Sequence, residues 1–191
     1  MKALYIHGFN SAGFGNKVDA WREAFGPDSV INPTLPVQPQ AAMELLDWMV
    51  ARFKGPDFCL LGSSLGGFYS LNLALRHQVP AVLINPAVQD VANGLAYAKD
   101  GITNYKTEEA YAYTDADFKA LTDLELVPQD WAKLKGLIYA YLDADDEVLP
   151  APRIDAFFKE QGLYSHLFAG GNHRFEHMHE AIADFQAQLK K

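Results

Sequence analysis

The sequence predicts a three-layer α/β domain on a mostly parallel central sheet of about six strands, and three observations lead there. Short apolar runs recur along the chain: "ALYIH" (3–7), "SVINP" (29–33), "DFCLLG" (57–62), "AVLIN" (81–85), "LIYAYL" (137–142) and "SHLFA" (165–169). Each run is continuous rather than alternating, the pattern of strands covered by helices on both faces. Segments with helical spacing lie between the runs, so strand and helix alternate and right-handed crossovers follow. Finally, 191 residues that are 49% hydrophobic and 13% aromatic can bury one substantial core, and no internal repeat or low-complexity tract divides them.

The elements follow in order. After the first two strands, "NPTLPVQP" (32–39) is a proline-rich loop rather than a domain boundary. Residues 40–54 then place Leu45, Trp48, Met49 and Arg52/Phe53 three and four apart, a helical face. The strand 57–62 leads through a glycine- and serine-rich turn directly into "LGGFYSLNLALRH", a second helix. Between Asn85 and Leu137 lie about fifty residues with no convincing strand, although a crossover needs only about a dozen. A tertiary insertion of short helices around 87–136, carried by one domain spanning 1–191, is expected there. Gly162 follows "RIDAFFKEQ" where a helix ends, and Met178, Ile182, Phe185 and Leu189 form one apolar stripe on a terminal helix.

Composition excludes several classes. A net charge of −8 offers no basic footprint for nucleic acid or an anionic membrane surface. No segment reaches the roughly 18 apolar residues of a membrane span. "MKALYIHGFN" is too short an apolar run for a secretory leader, so a cytoplasmic protein is expected. Cys59, the single cysteine, cannot form an intramolecular disulfide and sits in an apolar run, as a buried small hydrophobe would.

The turn after the third strand carries chemistry. In "GSSLGG" only Ser64 stands in a G-x-S-x-G frame, Gly62-Ser63-Ser64-Leu65-Gly66, because Leu61 occupies the glycine position that Ser63 would need. A strand enters and a helix leaves, the context in which such a serine is held up on a strained turn as a nucleophile. The bland alternative is a small-residue turn with an incidental serine. A nucleophilic serine needs a base, and the base needs an orienting carboxylate. "DADDEVLP" follows the fifth run and "GGNHRF" the sixth, giving the order Ser, Asp, His. His173 is the candidate base and Asp146 the candidate acid, with Asp143 and Asp145 as alternatives in register.

"YIHGFNS" follows the first strand and supplies backbone donors for an oxyanion, with Phe9 N–H and Leu65 N–H as the candidates. His7 braces that loop or joins Asn10, Tyr97 and Tyr105 in touching substrate; the tyrosines could equally pack the insertion onto the core. "HRFEHMH" raises a competing zinc site from His173, His177 and His179, but no third acidic ligand is evident. Its plainer reading makes His177 and His179 the polar first turn of the last helix.

Together "YIHGFNS", "GSSLGG", "INPAV", "DDEVL" and "GGNH" resemble the small bacterial α/β-hydrolase esterases of the YqiA-like type, over almost the whole chain. The resemblance implies an α/β-hydrolase fold with Ser64 as nucleophile, Asp146 as acid and His173 as base. It also marks Asn85 and Pro86 as supporting residues, and leaves 87–136, the least matched segment, as a cap that sets substrate preference.

The expected function is a serine carboxylesterase for short- to medium-chain acyl esters, needing no metal or organic cofactor. Its partner is a small-molecule acyl ester, with neither nucleic acid nor membrane, and a homo-oligomer is compatible with the sequence. The rivals are an acyl-coenzyme A thioesterase and a non-catalytic binding protein on a hydrolase scaffold.

Overall fold

A computed structural model describes residues 1–190. Among these, six parallel strands form the central sheet: β1 (Lys2–Ile6), β2 (Val30–Ile31), β3 (Phe58–Ser63), β4 (Ala81–Ile84), β7 (Ile138–Asp143) and β8 (Tyr164–Phe168). The spatial order is β2-β1-β3-β4-β7-β8, so β3 lies centrally between β1 and β4. All six expected runs are therefore strands, although β2 shrinks to two residues.

Alternate residues of each strand feed opposite layers, as the two-residue period requires. Leu4, Ile6, Leu60, Leu83, Ala140 and Leu142 pack on one side with α2 (Pro39–Phe53), α3 (Leu65–His77) and α7 (Ala151–Glu160). Ala3, Tyr5, Leu61, Val82, Ile84 and Tyr141 pack on the other with α1 (Asn16–Phe25) and α8 (Met178–Gln188). Cys59 is wholly buried in that second layer, and burial pushes its thiol far up, so it serves as packing.

Three expectations about elements need correction. On α2 the buried face is Ala42, Met43, Leu46, Met49 and Val50, whereas Trp48 is 62% exposed. At 100° per residue those five side chains share an arc of about 120°, a denser apolar surface than the Leu45–Trp48–Arg52 line beside it. On α8 the stripe ends at Phe185, because Leu189 is already the C-cap and is 44% exposed. The segment between β4 and β7 is not purely helical. It holds α4 (Val91–Gly94), two 3-10 turns (Ala96–Asp100 and Ala132–Leu134), an antiparallel pair β5 (Ile102–Thr103) and β6 (Ala110–Tyr111), α5 (Asp115–Asp123) and α6 (Pro128–Trp131). Strands of two residues carry too little alternation to be read from sequence.

This insertion is anchored rather than draped. Thr114 and Asp117 form a reciprocal capping box at the start of α5, while Leu121, Leu124, Trp131 and Leu134 enter the core. Asn72 Nδ2 on α3 donates to Leu124 O at 3.0 Å. Among the described residues no helix is long and apolar enough to cross a membrane.

Candidate active site

Ser64 directly follows β3 and is the N-cap of α3, with φ 54° and ψ −121°, a positive-φ backbone that a non-glycine residue adopts at a cost of about 1–3 kcal/mol. The surroundings over-determine it. Ser64 N–H donates to Ile84 O at 3.1 Å, and Ser64 O accepts from Gly67 N–H at 2.8 Å and Ala87 N–H at 3.0 Å. The two motif glycines make room. A Cβ on Gly66 would fall 1.9 Å from Ile6 O, and one on Gly62 would fall 2.2 Å from Ser70 Oγ. Helix α3 can therefore start hard against β1 only because those side chains are missing.

The hydroxyl so presented meets the loops after the last two strands. Ser64 Oγ lies 3.1 Å from His173 Nε2, and His173 Nδ1 lies 2.9 and 2.8 Å from Asp146 Oδ1 and Oδ2. With Nδ1–H donating to the carboxylate, Nε2 is left as an acceptor for the serine proton. Burial pushes the Asp146 carboxyl up, but hydrogen bonds from His173, Leu149 N–H and Val148 N–H outweigh it and hold the group below its ordinary range. Asp145, by contrast, is exposed, and Asp143 points elsewhere.

Asp143 is fully buried and accepts from His177 Nδ1 at 2.7 Å, so His177 is not an idle polar residue of the last helix. That contact diverts His177 from any metal set with His173, while His179 stands exposed. Among the described residues no group of three His, Cys, Asp or Glu side chains could hold a metal ion.

The loop after β1 lies against Ser64, close enough that a Cβ on Gly8 would fall 3.1 Å from Ser64 Cβ. Leu65 is the first residue of α3, where an N–H has no acceptor within the helix. Among the described residues Phe9 N–H donates to no backbone carbonyl. His7 Nε2 accepts from Leu35 N–H at 3.0 Å and its Nδ1–H faces Gly8 O at 2.8 Å. Both ring nitrogens are thus committed, and burial lowers the pKa of the imidazole. His7 braces the loop and lines not the large cavity at Ser64 but a small pocket beside it, shared with Phe9, Asn10 and Leu65.

Asn10, Tyr97 and Tyr105 do line that cavity, whose volume is about 1010 Å³. Asn10 also ties the loop to the insertion, donating to Thr103 O at 3.2 Å and accepting from Tyr111 OH at 3.4 Å. Tyr97 meets Phe9 edge-on at 6.0 Å, while Tyr105 is 65% exposed at the rim. One wall was missed in the sequence: Leu149, Ile154 and Phe157, on and before α7, line the cavity together with Val88, Val91 and Leu95. Their only sequence signal is the "VLP" and "AFF" of a helix that reads as ordinary packing. Glu147 was missed too; it accepts His173 N–H through Oε2 at 2.9 Å, and that bond, with others, lowers the pKa of its carboxyl.

A model of the uncharacterised protein family UPF0227 matches residues 2–189. The chain belongs to that family. Solved structures share its fold at low identity. A putative hydrolase of the α/β superfamily from Xanthomonas campestris pv. campestris is 20% identical, with 99% of this chain and 98% of that chain covered and a TM-score of 0.61. Est1E from Butyrivibrio proteoclasticus is 16% identical over 99% and 88%, with a TM-score of 0.68. A monoacylglycerol lipase from Paleococcus ferrophilus is 14% identical over 98% and 93%, with a TM-score of 0.70. The UPF0227 chain therefore has the α/β-hydrolase fold expected of its YqiA-like motifs.

Proposed function

We propose that this UPF0227 protein is a serine carboxylesterase acting on short- to medium-chain acyl esters. The observation that carries the proposal is the continuous alignment of Ser64 Oγ, His173 and Asp146, with the serine on a positive-φ turn at the mouth of an apolar cavity. The names of the esterase and the lipase that share its fold support the same class.

Ser64 Oγ attacks the acyl carbonyl carbon as His173 Nε2 takes the hydroxyl proton. Charge then builds on the carbonyl oxygen, where Phe9 N–H and Leu65 N–H donate, each worth about 3 kcal/mol in the transition state. Asp146 holds the Nδ1–H tautomer and faces the imidazolium. The intermediate collapses, the alcohol leaves with the proton from Nε2, and Ser64 carries the acyl group as an ester. Water attacks that ester through the same base, releasing the acid and restoring the serine.

The acyl chain fits among Val88, Val91, Leu95, Leu149, Ile154 and Phe157. The test is a panel of nitrophenyl esters and acyl thioesters, run beside labelling with a serine-directed phosphonate. Turnover of esters with labelling at Ser64 is expected. Preference for thioesters would move the substrate class, and a wild-type protein inert to both panel and phosphonate would be a binding protein.

A further inference from the structure

The chemistry proposed above leaves a fully buried carboxyl group at the end of β7 unused. Asp143, the last residue of β7, is 0% exposed, and a polar side chain buried there is costly unless hydrogen-bond donors surround it. Its donors all belong to the loop that carries His173. Oδ2 accepts from Asn172 N–H at 3.2 Å and Glu176 N–H at 2.8 Å, and Oδ1 accepts from His177 Nδ1 at 2.7 Å. Asn172 and Glu176 flank His173 on either side, so one carboxylate grips both arms of the loop.

The main chain of the same residue reaches the other partner. Asp143 O accepts from Asp146 N–H at 3.2 Å. A single residue, fixed in the sheet opposite Phe168, thus ties down the turn bearing Asp146 and the loop bearing His173.

Its surroundings are built for this grip. A Cβ on Gly171 would fall 1.9 Å from Asp143 Oδ2, so only glycine, here at φ 75°, lets the carboxylate come so close. The His177 ring lies parallel to Phe168, with centroids 4.8 Å apart. Asn85 Oδ1 accepts from Asp143 N–H at 2.9 Å, while its Nδ2 donates to Asn172 O at 2.9 Å. The buried Lys17 Nζ donates to Arg174 O at 2.8 Å.

We propose that Asp143, paired with His177, is a positioning residue that sets the separation of His173 from Asp146 and Ser64. This rests on the reading of His173 as the base. The carboxylate touches no reacting atom and acts through the loop. Losing it lets His173 drift, and a displacement of about 1 Å in such a constellation costs about 10²-fold in rate.

The test compares wild type with Asp143→Ala, Asp143→Asn and His177→Ala, each assayed well below its melting temperature with the folded fraction measured by circular dichroism. The expected result for Asp143→Ala is kcat on a nitrophenyl ester lower by about 10²-fold with KM changed by less than about twofold. The rate of phosphonate labelling at Ser64 should fall in step. Asp143→Asn should recover part of the loss, because the amide oxygen still accepts from the two backbone donors. A second readout is independent of turnover: the low-field proton resonance of His173 Nδ1–H, assigned by its absence in His173→Gln, should shift or broaden in Asp143→Ala. A folded Asp143→Ala with wild-type kcat and an unmoved resonance would overturn the proposal. If Asp143→Ala does not fold, the same readouts on His177→Ala decide, a wild-type kcat and resonance overturning it. A wild type inert toward esters and phosphonate sinks the esterase reading, while the resonance still tests the grip on His173.

Discussion

Asp146 Oδ2 lies 2.8 Å from His173 Nδ1, and the other oxygen of the same carboxylate takes the N–H groups of Val148 and Leu149. The aspartate is thus fixed by its own backbone before it fixes the imidazole. Its side chain is only 1% exposed, so the carboxylate is largely shielded from solvent. Asp146→Asn presents an amide where the Nδ1–H needs an acceptor and is expected to lower kcat by about 10⁴-fold. Asp145→Asn, at an exposed position whose side chain makes no hydrogen bond among the described residues, should stay close to wild type. Steady-state kinetics on a nitrophenyl ester check both, and the reverse ranking would move the acid within the loop.

Ser64 offers a test in which stability and activity separate. Ser64→Ala and Ser64→Gly should both abolish hydrolysis, whereas Ser63→Ala, buried in β3, should retain it. The φ of 54° persists in the alanine variant, but glycine adopts it freely. After the entropy that glycine adds to the unfolded chain, a net gain of about 1 kcal/mol remains for Ser64→Gly over Ser64→Ala. Calorimetry should place its melting temperature about 2–4 °C higher. Equal melting temperatures would mean that the turn stores no strain.

Much of this was legible from short patterns with a local physical cause. The six apolar runs became strands because each is long enough to be buried on both faces, and Ser64 was legible because Gly62 and Gly66 answer specific steric contacts. What escaped depends on distant pairs. Asp143 and Asp146 are equivalent in a sequence, and only the twist of the turn after β7 sends one toward His177 and the other toward His173. Trp48 looked inward because a helical face can be counted in more than one phase, and α2 settles on the phase richest in apolar volume. The α7 wall had no signal of its own, since Ile154 and Phe157 serve the core and the cavity together.

Lys17 gives a pH dependence with a definite sign. Burial lowers its pKa to about 8, against a partial rise from Asp143 and a further lowering from Arg174. Between about pH 8 and its ordinary value of about 10.5 the unfolded chain holds the proton and the folded chain does not, so this contribution to stability rises with pH across that window. Below about pH 8 both states are charged and the full burial cost, on the order of 3 kcal/mol, is present. Denaturant unfolding of wild type and Lys17→Met at pH 7 and pH 9.5 isolates the effect. Wild type should gain stability relative to the variant as pH rises; a difference independent of pH would mean that Lys17 is solvated in the folded protein.

The proposed acyl site predicts that chain-length preference and turnover respond to different parts of the cavity wall. Ala156 lines the cavity's exposed edge on α7, between Arg153 and Glu160 on the same helix face. A tryptophan there should shorten the acyl groove by about three methylenes, about 2.4 kcal/mol or roughly 60-fold in kcat/KM for a lauroyl ester, with the acetyl ester little changed. Replacing 97–113 with the stretch of a relative should behave differently. That stretch contains Asn104, which donates to Ser11 O at 2.9 Å, and Thr103, which accepts from Asn10, so it holds the loop that bears Phe9 N–H. Turnover should then fall for every chain length together, while phosphonate still labels Ser64. Nitrophenyl esters from acetyl to lauroyl, assayed on both variants, separate the two effects. If the exchange shifts chain length while Ala156→Trp does not, the acyl group lies against the β5–β6 hairpin and not along α7.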